Sequence, residues 1–137
     1  NGRPRVVGGG VSFSLSASGR WIGLAIGRVA ALGLDVQAAG GRRRPAPSPL
    51  VFDARERRSY ARAGAGEAAF LVGWTRKEAV LKALGVGLSE PWRAQVDFRA
   101  DTPRPIVSVD GRAILARAWN LKDLRLPDGT AGALVTA

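Results

Sequence analysis

Any fold for this chain has to accommodate one long helix. Residues 67–84 are rich in Ala, Leu, Lys, Arg and Glu and contain no proline. Gly85 and Gly87 follow the last periodic residue, where a left-handed C-terminal stop is expected. Ala69, Leu71, Val72, Trp74, Val80, Leu81 and Leu84 supply its apolar contacts. Glu78 and Lys82 stand four apart and share a face with Trp74, whereas Lys77 sits about 100° round the axis. At that spacing the plain reading of Glu78 and Lys82 is a surface ion pair worth a few tenths of a kcal/mol. A functional reading draws on an acidic residue elsewhere in the chain.

That residue is Asp35. The segment 31–38 reads as a strand in which Leu32, Leu34 and Val36 oppose Ala31, Gly33, Asp35 and Gln37. Strand interiors are depleted in Asp, and no turn residue beside it accounts for this one. An ionised carboxylate there costs several kcal/mol unless it is paired or bound to a cation. The plain alternative is a solvated face.

Two more strands precede it. Between residues 11 and 18 apolar residues and serines alternate strictly, with Phe13, Leu15 and Ala17 on one face and Ser12, Ser14, Ser16 and Ser18 on the other. The serine face is expected to meet solvent. Residues 21–26 read as a second strand after a Gly19-Arg20 turn, and the three together predict an antiparallel meander. Residues 40–49, with Arg42, Arg43 and Arg44 and three prolines, read as a loop. Asp53 predicts an N-cap, with Glu56 completing a capping box, for a shorter helix over 54–63. Val96, Phe98, Ile106, Val107 and Val109 suggest β structure; Asp110-Gly111 signals a hairpin turn, and Asp128-Gly129 a turn into a last strand. The fold class is α+β: an antiparallel sheet with one long and one shorter helix packed on a face.

The length of 137 residues predicts a single domain, residues 1–137. With neither Cys nor His, thiolate and imidazole chemistry are excluded, and any metal must be a hard, oxygen-seeking ion such as Mg²⁺. A net charge of +10 favours an anionic partner: nucleic acid, a phosphate-bearing ligand or an acidic protein. The four Trp, four Phe and one Tyr are scattered rather than interleaved with basic residues, which disfavours nucleic acid. Neither a transmembrane run nor a signal peptide is visible, so the expected location is cytoplasmic and no membrane partner is expected.

If the long helix packs across the third strand, Asp35 and Glu78 come together. Two carboxylates, water and ligand phosphates are what Mg²⁺ uses in phosphate-transfer reactions. Lys77 and Lys82 would offer charge to phosphate oxygens, and Ser16 a hydrogen bond to another phosphate.

The segments Phe13-Ser14-Leu15-Ser16-Ala17-Ser18, Gly33-Leu34-Asp35-Val36-Gln37 and Trp74-Thr75-Arg76-Lys77-Glu78-Ala79-Val80-Leu81-Lys82-Ala83 resemble the 4′-phosphopantetheinyl transferases. The resemblance is to the larger, surfactin-synthetase-activating type, and the third motif, followed by Gly-x-Gly-Leu, is the specific one. It implies an enzyme that moves 4′-phosphopantetheine from coenzyme A to a serine of an acyl or peptidyl carrier protein, with Mg²⁺ as cofactor. It further implies that Asp35 and Glu78 ligate Mg²⁺, with Gln37 where the family has a second acidic ligand. Lys82 would neutralise the pyrophosphate, and Lys77 or Glu78 would assist deprotonation of the incoming serine. Arg3 would meet coenzyme A where the family has lysine, and Ser16 would touch the 3′-phosphate. Ala17 replaces the family's histidine, a loss of about 1.5–3 kcal/mol of binding if unreplaced. The larger type is a pseudo-dimer whose first half precedes these motifs, so the resemblance implies a missing N-terminal half or self-association. Two alternatives stand beside the enzyme: a degenerate remnant that binds a carrier protein or partner subunit, and a basic nucleic-acid-binding domain.

Overall fold

The computed structural model describes residues 8–40 and 46–137. The expected helices form where the sequence places them. The first, α1 (Ala54–Arg62), begins at Asp53, whose side chain accepts from Glu56 N while the Glu56 carboxylate accepts from Asp53 N, the predicted capping box. The second, α2 (Glu67–Leu84), ends at Gly85 with φ 78° and ψ 20°, the left-handed stop.

Among the described residues there are seven strands: β1 (Ser12–Ser18), β2 (Trp21–Gly27), β3 (Leu32–Gln37), β4 (Ala94–Val96), β5 (Ile106–Val109), β6 (Asn120–Arg125) and β7 (Ala131–Thr136). A single-turn helix, α3 (Ala113–Ala116), follows β5. The mixed architecture of helices and antiparallel sheets is α+β, as expected. The meander is not. Among the described residues β1 pairs with β2 alone, and β3 joins the C-terminal strands in the order β3-β7-β6. The reason lies in the serines. Leu34 N, Val36 N and Ala38 N donate to the hydroxyls of Ser14, Ser16 and Ser18 at 2.8, 3.1 and 3.0 Å. Side-chain oxygens of β1 thus take the place of a backbone ladder along this edge of β3.

The serine face is therefore buried rather than solvated, and the apolar face is the exposed one. Ser14 and Ser16 are 7% exposed, whereas Ile22 and Ile26 on the outer side of the hairpin are 79% and 67% exposed. Asp128 and Gly129 take left-handed φ of 59° and 69° and join β6 to β7 as predicted. Asp110-Gly111 also turns left-handed, but it leads into α3 instead of returning as a strand.

One face of the three-stranded sheet receives α2. Gly33 makes the close approach possible: a Cβ there would lie 1.9 Å from the Ala79 carbonyl oxygen and 2.8 Å from Ala83 N. Ala133 and Val135 continue the contact at zero exposure. Beyond the sheet, Phe52, Phe70 and Phe98 form the aromatic core, with Tyr60 and Trp74 against it.

Candidate functional site

The Gly33 contact brings the two elements that matter together. Ala79 and Ala83 rest on β3, so Glu78 and Lys82, their neighbours on α2, flank the contact. Asp35, two residues beyond Gly33 on the same face of the strand, meets them. Its Oδ1 accepts a hydrogen bond from Lys82 Nζ at 2.7 Å and another from Ser16 Oγ at 2.9 Å. Lys82 Nζ also donates to the Leu34 carbonyl at 3.1 Å. The i,i+4 ion pair that the spacing offers is absent from the described residues; Lys82 reaches the strand instead.

The electrostatics of this cluster are unbalanced. Asp35 is 5% exposed, and its Oδ2 is buried without a hydrogen-bond partner among the described residues. Burial pushes its pKa above the ordinary carboxylate value, opposed by Lys82, Ser16 and the Val36 backbone N–H. Glu78 is raised as well, first by burial and then by the negative charge of Asp35, with Lys82 pulling the other way. Two carboxylates and one ammonium sum to one uncompensated negative charge when all are ionised. A buried carboxylate oxygen that no protein group satisfies is suited to a cation or a hydrogen-bond donor.

The remaining expectations divide. Gln37 is half-buried on the same face of β3, two residues past Asp35. Ser16 is in the cluster, but its hydroxyl donates to Asp35 and accepts from Val36 N, so it orients the carboxylate rather than waiting for a phosphate. Ala17 lies on the exposed outer face of the hairpin, the side opposite Ser16. Arg3 and the Arg42–Arg44 run lie outside the described residues.

Lys77 requires a correction. It is 1% exposed, and its Nζ donates to both oxygens of Glu56, at 2.9 and 3.0 Å, and to the Ala94 carbonyl at 2.6 Å. The turn of about 100° between successive helical residues directs it into the α1–β4 interior and away from Asp35. Lys77 is not brought to the Asp35 cluster, and its ammonium is buried against Glu56 and Ala94.

Sequence reasoning also missed Arg76 and Asp123. Arg76 is 1% exposed, binds Asp123 through Nε at 2.9 Å and Nη2 at 2.6 Å, and donates to the carbonyls of Asp97 and Arg99. Asp123 opposes Ala133, which in turn opposes Asp35. A row of Asp35, Ala133 and Asp123 thus faces α2, with one basic side chain of the helix on each acid. The mid-strand acid in Asn-Leu-Lys-Asp-Leu-Arg was the available signal.

The α+β fold thus gathers a buried strand acid, the Lys82 ammonium on one of its oxygens and the Glu78 carboxylate beside them. The chain matches the family model of the 4′-phosphopantetheinyl transferase superfamily over residues 31–135 and belongs to that superfamily. No curated protein matches it closely. Transfer of phosphopantetheine, with coenzyme A as co-substrate and carrier proteins as partners, is the activity of that superfamily in general. Among the described residues, no helix is long and apolar enough to cross a membrane.

Proposed function

We propose that this chain transfers 4′-phosphopantetheine from coenzyme A to a serine of an acyl or peptidyl carrier protein, and that Asp35, Glu78 and Lys82 do the chemistry. The observation that carries the reading is Asp35: a buried strand carboxylate with one oxygen held by Lys82 and Ser16 and the other unpartnered.

The donor set suits Mg²⁺. Asp35 and Glu78 offer carboxylate oxygens and Gln37 an amide oxygen, the hard ligands that this ion takes together with water and phosphate. No group of three His, Cys, Asp or Glu occurs among the described residues, so the ligand phosphates and water would complete the shell. When bound, Mg²⁺ supplies positive charge to pyrophosphate oxygens.

The chain's own residues supply the rest. In the reaction the carrier serine oxygen attacks the β-phosphorus of coenzyme A. A new P–O bond forms, the bond to the leaving 3′,5′-ADP breaks, and the serine proton must go to a base. Glu78, the helical carboxylate beside Asp35, is the base we assign to that proton. Lys82, with 29% of its side chain exposed, has access to the ligand and neutralises charge developing on the leaving group. Ser16 keeps Asp35 in place. Arg3, where the family has lysine, remains a proposed contact to coenzyme A.

The exposed apolar face of the β1–β2 hairpin, with Leu15, Ile22, Leu24 and Ile26, supports a paired arrangement in which a first half or a second copy covers it. The surfactin-synthetase-activating type is the subfamily we favour, on the Trp-x-x-Lys-Glu-Ala-x-x-Lys-Ala motif at residues 74–83.

The test pairs activity with binding. Asp35→Asn and Glu78→Gln are expected to lower transfer at least a hundredfold and to abolish the rise in melting temperature that Mg²⁺ gives the parent chain. Parent-like turnover in either variant overturns the assignment.

A further inference from the structure

We propose that the groove between β5, α3 and the start of β6 is a second anion site, and that it takes a nucleoside polyphosphate. The groove is a concavity of about 840 Å³, within the size range of small-molecule sites. Arg55, Arg104 and Arg117 reach it from three separate segments: the first turn of α1, the β4–β5 connection and the end of α3. None of the three has a carboxylate partner among the described residues. The one acid in the wall, Asp97, is already matched by Arg99 at 2.7 Å and accepts a hydrogen bond from Ser59. The site therefore carries three uncompensated positive charges around one hollow, and their mutual repulsion is relieved when an anion fills it.

The chemistry of the wall narrows the anion. Guanidinium forks pair with phosphate and carboxylate oxygens alike, two at a time, so it is the convergence of three of them on one hollow that favours a polyanion such as a chain of phosphates over a single carboxylate. Trp119 is half-buried in the same wall, so part of its indole is available to a planar ring. Asn120, next along the chain and exposed, offers both a donor and an acceptor to a base or sugar. Clustered arginines beside a partly open indole fit a base with its phosphates; an acidic peptide would use the arginines and leave the indole idle.

This site is distinct from the one that holds Asp35. Asp35 is on β3, the groove reaches β6, and β7 lies between them in the sheet. On the α2 side, Arg76 donates to the Asp97 and Arg99 carbonyls, and neither Asp35, Glu78 nor Lys82 lines the groove.

The probe is ATP, titrated by calorimetry into the full chain, since the transfer site also has affinity for phosphates. Arg104→Glu combined with Arg117→Glu is expected to weaken ATP binding at least tenfold, whereas Lys82→Ala leaves this site's affinity unchanged. Both arginines are exposed, so the double variant keeps its fold, checked by its melting temperature. Trp119→Ala is expected to weaken ATP several-fold, Trp119→Phe to retain it, and inorganic tripolyphosphate to be indifferent to both. No ATP binding at millimolar concentration, or binding that the arginine variant does not change, overturns the site. Tripolyphosphate binding as tightly as ATP, or polyglutamate displacing ATP with higher affinity, overturns the nucleoside assignment. Because Lys82→Ala separates the two sites, failure of the transferase reading leaves this result intact.

Discussion

Burial raises the pKa of Glu78 above the ordinary glutamate value, and the charge of Asp35 adds to it. A carboxyl that holds its proton more tightly folded than unfolded contributes a penalty that grows as pH rises from the unfolded pKa through the folded one. Below the unfolded value both states are protonated and the penalty vanishes. Glu78→Gln is therefore expected to melt higher than the parent at about pH 7.5 without Mg²⁺, and to match it at about pH 4. A difference that persists unchanged in acid would place the effect in packing. Lys77 answers to a different balance. Burial pushes Lys77 down and Glu56 up, and their direct contact opposes both. Removing one partner strands the other, so Lys77→Met is expected to cost about 3–5 kcal/mol in urea unfolding. An effect under about 1 kcal/mol would show that Glu56 finds another partner or its proton.

At the scale of elements, β1 shows how a regular pattern can be read correctly and oriented wrongly. The alternation in residues 11–18 predicted a strand, and a strand forms. Its polar face turns inward because the backbone N–H groups of Leu34 and Val36 in β3, and of Ala38 just past it, need acceptors and the serine hydroxyls supply them. No pattern within residues 11–18 records that need, since it belongs to another segment. Gly33 acts at the same scale. A side chain there must push α2 off β3, so Gly33→Ala is expected to cost about 1–3 kcal/mol and to lengthen the Lys82–Asp35 contact of 2.7 Å. Transfer should fall with it, by more than the stability loss alone explains; parent-like kinetics in a folded Gly33→Ala chain would separate the helix position from the chemistry.

Over the whole molecule, a net charge of +10 creates a long-range field that a pairwise contact list does not capture. Carrier proteins are commonly acidic, so the KM for the carrier is expected to rise several-fold between about 50 and 500 mM salt, with kcat nearly constant. A flat KM would remove steering from the account. The same field attracts phosphate ligands to both sites, which is why the ATP titration relies on point variants and not on salt.

The amino-acid sequence determined the two main helices with their caps, the β6–β7 turn and the acidic anomaly at Asp35, because these depend on residues within a few positions of one another. It also carried the motif at 74–83. Tertiary structure alone decided that β3 pairs with the C-terminal strand, that Lys82 binds Asp35 rather than Glu78, and that Lys77 is sealed against Glu56. Those outcomes join residues from 21 to 104 positions apart, and hydrogen-bond demand at such range is met only once the chain has closed upon itself.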